Sequence, residues 1–260
     1  MSARVTVLRG RTSDRSADGA RGAEALGEAL AARLGVEAEV VGEPGAPRDG
    51  RWHDDLHDAR AAIGAAATAI EAALDAGDVP ILLASDCTIC MGALPVLARR
   101  DPGVRLVWLD AHGDFNTPDT TGSGFLGGMC LSAVCGRWDG GFGAGIDPRR
   151  VVLSDARDLD AGERDEMRRA GLAVVAPGAV ADAVRGERVF LHLDFDVLDP
   201  SVMPFSFPAA GGLSLPDLGA LLADLAEAAD VCGMELTSIA APHSAARLAQ
   251  TMAPALPPRG

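Results

Sequence analysis

The sequence has no basic surplus: its formal net charge is -14. A surface of that sign repels phosphates, so nucleic acid and anionic membranes are disfavoured as partners. The sequence has no N-terminal stretch in which basic residues precede an apolar run, so no secretory signal is read. It has no unbroken apolar segment long enough to cross a bilayer, because its longest runs are Ala-rich and interrupted by charges. It also lacks an even cysteine framework. Cys87, Cys90, Cys130, Cys135 and Cys232 are odd in number and irregularly spaced, which favours free thiols in a cytoplasmic protein. No internal repeat is present.

What is there is an ordinary globular composition, 48% hydrophobic and 23% charged. Length alone admits one large domain or two small ones. Short Val- and Leu-rich runs read as strands at 4–8, Ala38–Val41, 80–84, 104–110, 150–154, 172–175, 188–195 and 231–236. Between them, Ala-rich stretches with helical spacing fall at 19–34, 56–76, 90–99, 126–134, 162–169 and 216–229. The strands are continuous apolar runs, not alternating ones, as in a parallel sheet covered on both faces. The expected fold is a single three-layer α/β domain over residues 1–260, with a mostly parallel sheet and helices on both faces. Residues 42–51 and 116–128 read as loops, and the Pro-rich tail 254–260 as frayed.

In open α/β sheets ligands bind beyond the carboxyl ends of the strands. One such end carries Asp110, His112 and Asp114 at alternate positions. Extended backbone turns residues i, i+2 and i+4 to one side, so these could converge on a cation, although Asp and Gly also suit a polar turn. A second end carries Asp194 and Asp196. Two carboxylates held that close repel, and a cation removes the cost. His192 reads as a satisfied histidine inside the strand, and Asp199 as a turn residue before Pro200. A third end carries Ser85, Asp86, Cys87 and Thr88. Cys87 suits a small buried position, and Asp86 and Thr88 suit a helix cap.

Together these strand ends resemble the arginase, or ureohydrolase, family over residues 5–245. The most specific parts are residues 108–118 (WLDAHGDFNTP), 192–204 (HLDFDVLDPSVMP) and 211–214 (GGLS). The resemblance implies two Mn2+ ions. Asp110 and Asp194 would bridge them, His112 and Asp196 would complete one shell, and Asp114 would serve the other. Cys87 stands where the family has a His, and a thiolate shifts preference toward softer divalent metals. The implied chemistry is attack of a metal-activated water on a guanidino carbon, followed by collapse to an amine and a urea. Asp114 would pass the proton to the leaving amine. Asn116 and Ser123 match positions that hold an α-carboxylate, and Asp160 and Glu163 match positions that hold an α-amino group. The last two also read as a capped helix start.

Two departures from the arginase pattern bear on the substrate. Gly127 replaces a His thought to shuttle protons, and Ser238 replaces a Glu beside the guanidinium. Ser supplies no negative charge for a guanidinium. Glu235 aligns with a family Asp and is expected to be a second catalytic carboxylate beside Asp114, and His243 reads as an exposed loop His. These departures resemble a branch of the family that hydrolyses hydroxyarginine in antibiotic biosynthesis. The implied substrate is Nω-hydroxy-L-arginine, giving L-ornithine and hydroxyurea. Rival readings are cleavage of arginine or another guanidino acid, and a non-catalytic binding protein that kept the fold. Family members form trimers or hexamers, so the resemblance is also compatible with a homo-oligomer.

Overall fold

All eight apolar runs enter one parallel sheet in the computed structural model, which describes residues 2–258. In chain order the elements begin with β1 (Ala3–Leu8), α1 (Asp18–Leu34), β2 (Ala38–Val41), α2 (Trp52–Ala76) and β3 (Val79–Leu83). Next come α3 (Cys90–Arg100), β4 (Arg105–Asp110), α4 (Cys130–Val134), β5 (Val151–Asp155), α5 (Ala161–Ala170) and β6 (Ala173–Val175). The chain continues through α6 (Val180–Ala183), β7 (Arg188–Asp194), α7 (Leu215–Ala228), β8 (Asp230–Thr237) and α8 (Ala245–Thr251). The spatial order is β2-β1-β3-β8-β7-β4-β5-β6. Consecutive strands β3 and β4 are therefore not neighbours, because β8 and β7 lie between them.

Two apolar layers explain why the strands are hydrophobic on both sides. On one face Val107 and Leu109 pack with Leu26 and Leu30 of α1, Leu222 of α7 and Leu248 of α8. On the other, Leu106 and Trp108 pack with Ile63 of α2, Leu94 of α3, Cys130 of α4 and Met167 of α5. Burying each such Leu or Ile stabilises the fold by about 1.5–3 kcal/mol. Among the described residues, no helix is long and apolar enough to cross a membrane.

Some boundaries differ from the sequence-based expectation. Helix α2 starts at Trp52, not at residue 56. Asp54 and Asp55 fill its first turn, where carboxylates favour the helix dipole but carry no apolar period. The stretch 126–134 divides into a 3-10 turn, Gly127–Met129, and the short helix α4. Helices α6 and α8 were not expected, since each is too short to show a periodic apolar face. The expected frayed tail is partly ordered: Ala253–Ala255 forms a 3-10 turn with Ala255 buried against the core. Arg259 and Gly260 of that tail lie outside the described residues.

Candidate metal centre

The four central strands, β3, β8, β7 and β4, end side by side and supply the polar side chains. Parallel register places Trp108 of β4 opposite His192 of β7, and His192 opposite Glu235 of β8. These three form a transverse row. Two residues further along, on the same face, Asp110 and Asp194 rise above the row. The row is tightly joined. The Trp108 and His192 rings stack with centroids 3.5 Å apart, and His192 Nδ1 lies 2.9 Å from Glu235 Oε2. Trp108 Nε1 donates to Asp110 Oδ2 at 3.0 Å, which fixes that carboxylate.

Two groups of candidate ligand atoms share Asp110: Asp110 with His112 and Asp196, and Asp110 with Cys87 and His192. In the first, His112 Nδ1 is 3.0 Å from Asp196 Oδ2 and 3.4 Å from Asp110 Oδ1. In the second, Cys87 Sγ lies 3.3 Å from His192 Nε2 and donates to Asp194 Oδ2 at 3.0 Å. Ser238 Oγ donates to the same oxygen at 2.5 Å, and Asp196 N donates to Asp194 Oδ1 at 2.8 Å. Asp114 stands outside both groups and accepts a 3.5 Å bond from Cys130 Sγ. Asp114 and Ser238 hold φ of 49° and 60°, a left-handed conformation that costs free energy in non-glycine residues and clusters at functional sites.

His192 is thus both satisfied, as the sequence implied, and within ligand distance of Cys87 and Asp110. Its period-2 spacing from Asp194 was the available signal, but the cross-strand register that places it against Cys87 is not written in local sequence. The expected catalytic role of Glu235 is corrected by the structure: it is fully buried, is absent from the cavity wall and holds His192 Nδ1, so it acts as a positioning residue. Asp86 accepts from Thr88 N at 2.9 Å, as a cap does.

Above the carboxylates lies a cavity of about 440 Å³, within the usual range for a small-molecule site. Asn116, Ser123, Gly127, Asp160, Glu163 and Ser238 all line it, and His243 is exposed elsewhere. Asn116 Nδ2 donates to Asp160 Oδ2 at 3.2 Å. Glu163 spends both oxygens on backbone amides, accepting from Phe115 N at 2.8 Å and Asp160 N at 3.2 Å. It therefore ties the helix α5 start to the segment that carries Asp114.

The electrostatics fit a cation. Burial, then the Asp110 charge, push the carboxyls of Asp114 and Asp194 up, and burial with Asp194 and Asp110 does the same to Asp196. Burial also acts to raise Asp110, but the hydrogen bond and charge of His112 hold it below its ordinary value. Burial opposes a charge on His112, yet Asp110 and Asp196 raise it to about 12. Burial, Cys130 and Asp194 push the Cys87 thiol well up. Buried carboxylates that repel one another, with an imidazole and a thiol beside them, form a donor set that divalent cations satisfy.

A pH effect follows. Burial raises Glu163 from 4.5 to about 7 and Asp14 from 3.8 to about 6. Such groups bind a proton more tightly folded than unfolded, so the folded state loses stability as pH rises between about 4 and 7. Carboxyls held low act below that window. Metal-free protein is expected to show a falling Tm from pH 4 to 7 by calorimetry, and saturating divalent cation should flatten the fall. A Tm that rises across the window without metal would contradict this account.

The geometry has counterparts in known proteins. The sequence profile of the Arginase family matches residues 48–256. An N(omega)-hydroxy-L-arginine amidinohydrolase from Streptomyces lavendulae is 38% identical over 254 residues, covering 96% of this chain and 93% of that protein. An arginase from Bacillus caldovelox is 32% identical over 194 residues, 66% of this chain and 65% of that enzyme. The crystal structure of arginase from Bacillus cereus superposes with a TM-score of 0.86 at 25% identity, covering 98% of each chain.

Proposed function

The chain belongs to the arginase family of amidinohydrolases, and from there we propose that it cleaves Nω-hydroxy-L-arginine to L-ornithine and hydroxyurea. The residues that would hold two Mn2+ ions are Asp110, Asp194, His112, Asp196, Asp114 and Cys87. Divalent ions held there supply the Lewis acidity that makes water a nucleophile at neutral pH. Asp114, whose carboxyl is pushed up by burial and by Asp110, takes the proton from the attacking water and gives it to the leaving amine nitrogen. Asn116 and Ser123 face the substrate carboxylate, and Asp160 and Glu163 its amino group. Glu235 orients His192 beneath the reacting groups. One domain carries all these parts, and its free thiols suit the cytoplasm.

The choice of substrate is carried by Ser238. Its hydroxyl is committed to Asp194 at 2.5 Å, at the position where the resemblance to arginases implies a Glu. Without that carboxylate, a guanidinium cation loses a charge-assisted hydrogen bond. N-hydroxylation lowers the basicity of a guanidine, so the hydroxylated group can react in its neutral form. Gly127 in the cavity wall removes a His from the proton path, which matters less for a neutral substrate.

The test is ornithine release by manganese-loaded protein from L-arginine and Nω-hydroxy-L-arginine side by side. kcat/KM is expected to favour the hydroxylated substrate by at least about tenfold, the worth of one charged hydrogen bond. Equal rates on both would remove the substrate assignment and leave the family intact.

A further inference from the structure

Charge at the cavity is lopsided. Nine of the side chains lining it are Asp or Glu, and among the described residues Arg15 is the one Arg or Lys there. Divalent cations would neutralise part of that charge at the floor. The exposed part of the wall would remain acidic, through Asp158 and Asp160 among others. An α-amino acid must bring its own carboxylate into that region. Asn116 and Ser123 offer only neutral hydrogen bonds, and Asn116 Nδ2 is already given to Asp160. A neutral donor orients a carboxylate but does little to offset a field of like charge.

Arg15 is built to face the cavity. Its guanidinium carbon lies 5.0 Å from the Phe125 ring centroid and 5.2 Å from that of Phe207, and the two rings are 4.6 Å apart. Cation–π contact with both rings fixes the guanidinium against the wall. Phe207 also meets His112 edge-on at 6.3 Å, so a single ring separates Arg15 from the metal-binding floor. Among the described residues, the one ion pair of Arg15 joins Nε to Asp49 at 3.1 Å, and the Asp49 side chain is 84% exposed. Such a contact is screened by water and easily exchanged. Among the described residues, the terminal nitrogens of Arg15 donate to no protein acceptor, so the planar fork is left for a bidentate partner.

We infer that Arg15 supplies the charged contact to the substrate's α-carboxylate, beside the neutral contacts of Asn116 and Ser123, through paired N–H bonds from its terminal nitrogens, with Phe125 and Phe207 holding the guanidinium in place. This rests on the reading that the substrate is an α-amino acid. It assigns to the segment before α1 the role of selecting amino acids over decarboxylated guanidines.

The experiment compares the wild type with Arg15→Gln and Arg15→Lys, all manganese-loaded and checked for native circular dichroism. Turnover is measured on Nω-hydroxy-L-arginine and on its decarboxylated analogue Nω-hydroxyagmatine. Binding of L-ornithine and of putrescine is measured by calorimetry. For Arg15→Gln, KM for hydroxyarginine and Kd for ornithine are expected to rise about 10- to 100-fold, with kcat changed less than about threefold. The decarboxylated ligands should be unaffected, and Arg15→Lys should fall between. Equal losses on both ligand classes, or no loss on either, would overturn the inference. Ornithine binding that depends on Arg15 in a wild type that hydrolyses neither substrate would sink the proposed reaction and leave Arg15 in its role.

Discussion

Asp194→Asn is expected to lower turnover about a thousandfold or more and to strip bound metal from the protein. Asp194 Oδ2 accepts from Cys87 Sγ, from Thr237 Oγ1 at 3.2 Å and from Ser238 Oγ, while Oδ1 accepts from Asp196 N. An amide keeps the shape, but it loses the charge and turns one acceptor into a donor that faces other donors. The negative charge is what a pair of divalent ions needs from this position, and losing metal removes the nucleophile. The metal-free fold responds differently. Burial and Asp110 already disfavour the Asp194 anion, so removing the charge relieves repulsion and offsets the lost hydrogen bond. The Tm of metal-free Asp194→Asn is therefore expected to stay within a few degrees of wild type. Metal analysis and ornithine release check this, and a variant that keeps two ions and a tenth of the activity would remove Asp194 from the ligand set.

Cys87→Ala is expected to leave one ion per chain where the wild type holds two, whereas Cys87→His should keep both and shift the ratio of arginine to hydroxyarginine cleavage. Cys87 Sγ is a thiol that donates to Asp194 Oδ2. Binding a cation there must expel that proton against burial and nearby carboxylates. Metal uptake through sulfur therefore costs more at low pH than uptake through a neutral imidazole. A metal content of two per chain in the Ala variant would show that sulfur is not a ligand and point to His192, whose Nε2 lies 3.3 Å from Cys87 Sγ.

The legible parts of the fold and site were those written in short-range periodicity. Continuous apolar runs marked the inner strands, because both faces of the sheet are covered there, while the edge strands β2 and β6 are short and largely exposed. Alternate placement exposed Asp110 with His112, and Asp194 with Asp196, whereas Asp114 lies past the end of β4 in a left-handed conformation and stands outside both ligand groups. The row Trp108–His192–Glu235 was not legible, because it exists only after β7 and β8 fall between β3 and β4. Arg15 was missed for a related reason. It sits in a polar segment with no period, and its role comes from two phenylalanines that lie far away in sequence. Helix α8 lacked a long apolar stripe, and the ordered Ala255 owes its burial to tertiary packing alone.

The interleaved strand order also sets a schedule for making the protein. During synthesis β3 and β4 emerge early, yet neither has its final neighbour on the inner side until β7 and β8 are translated. For that interval the chain carries two open edges of Val, Leu and Ile, the kind that pair with other chains. Long-range parallel pairing is slow because loop closure must precede the contacts that reward it. The proposed ligands are split the same way, with Cys87, Asp110, His112 and Asp114 made first, Asp194 and Asp196 arriving with β7 against the open edge of β4, and β8 closing the remaining gap last. On the proposed ligand set, cation capture would be a late event that ties β7 to the segments after β3 and β4, and scarcity of metal during growth would show first as aggregated chain.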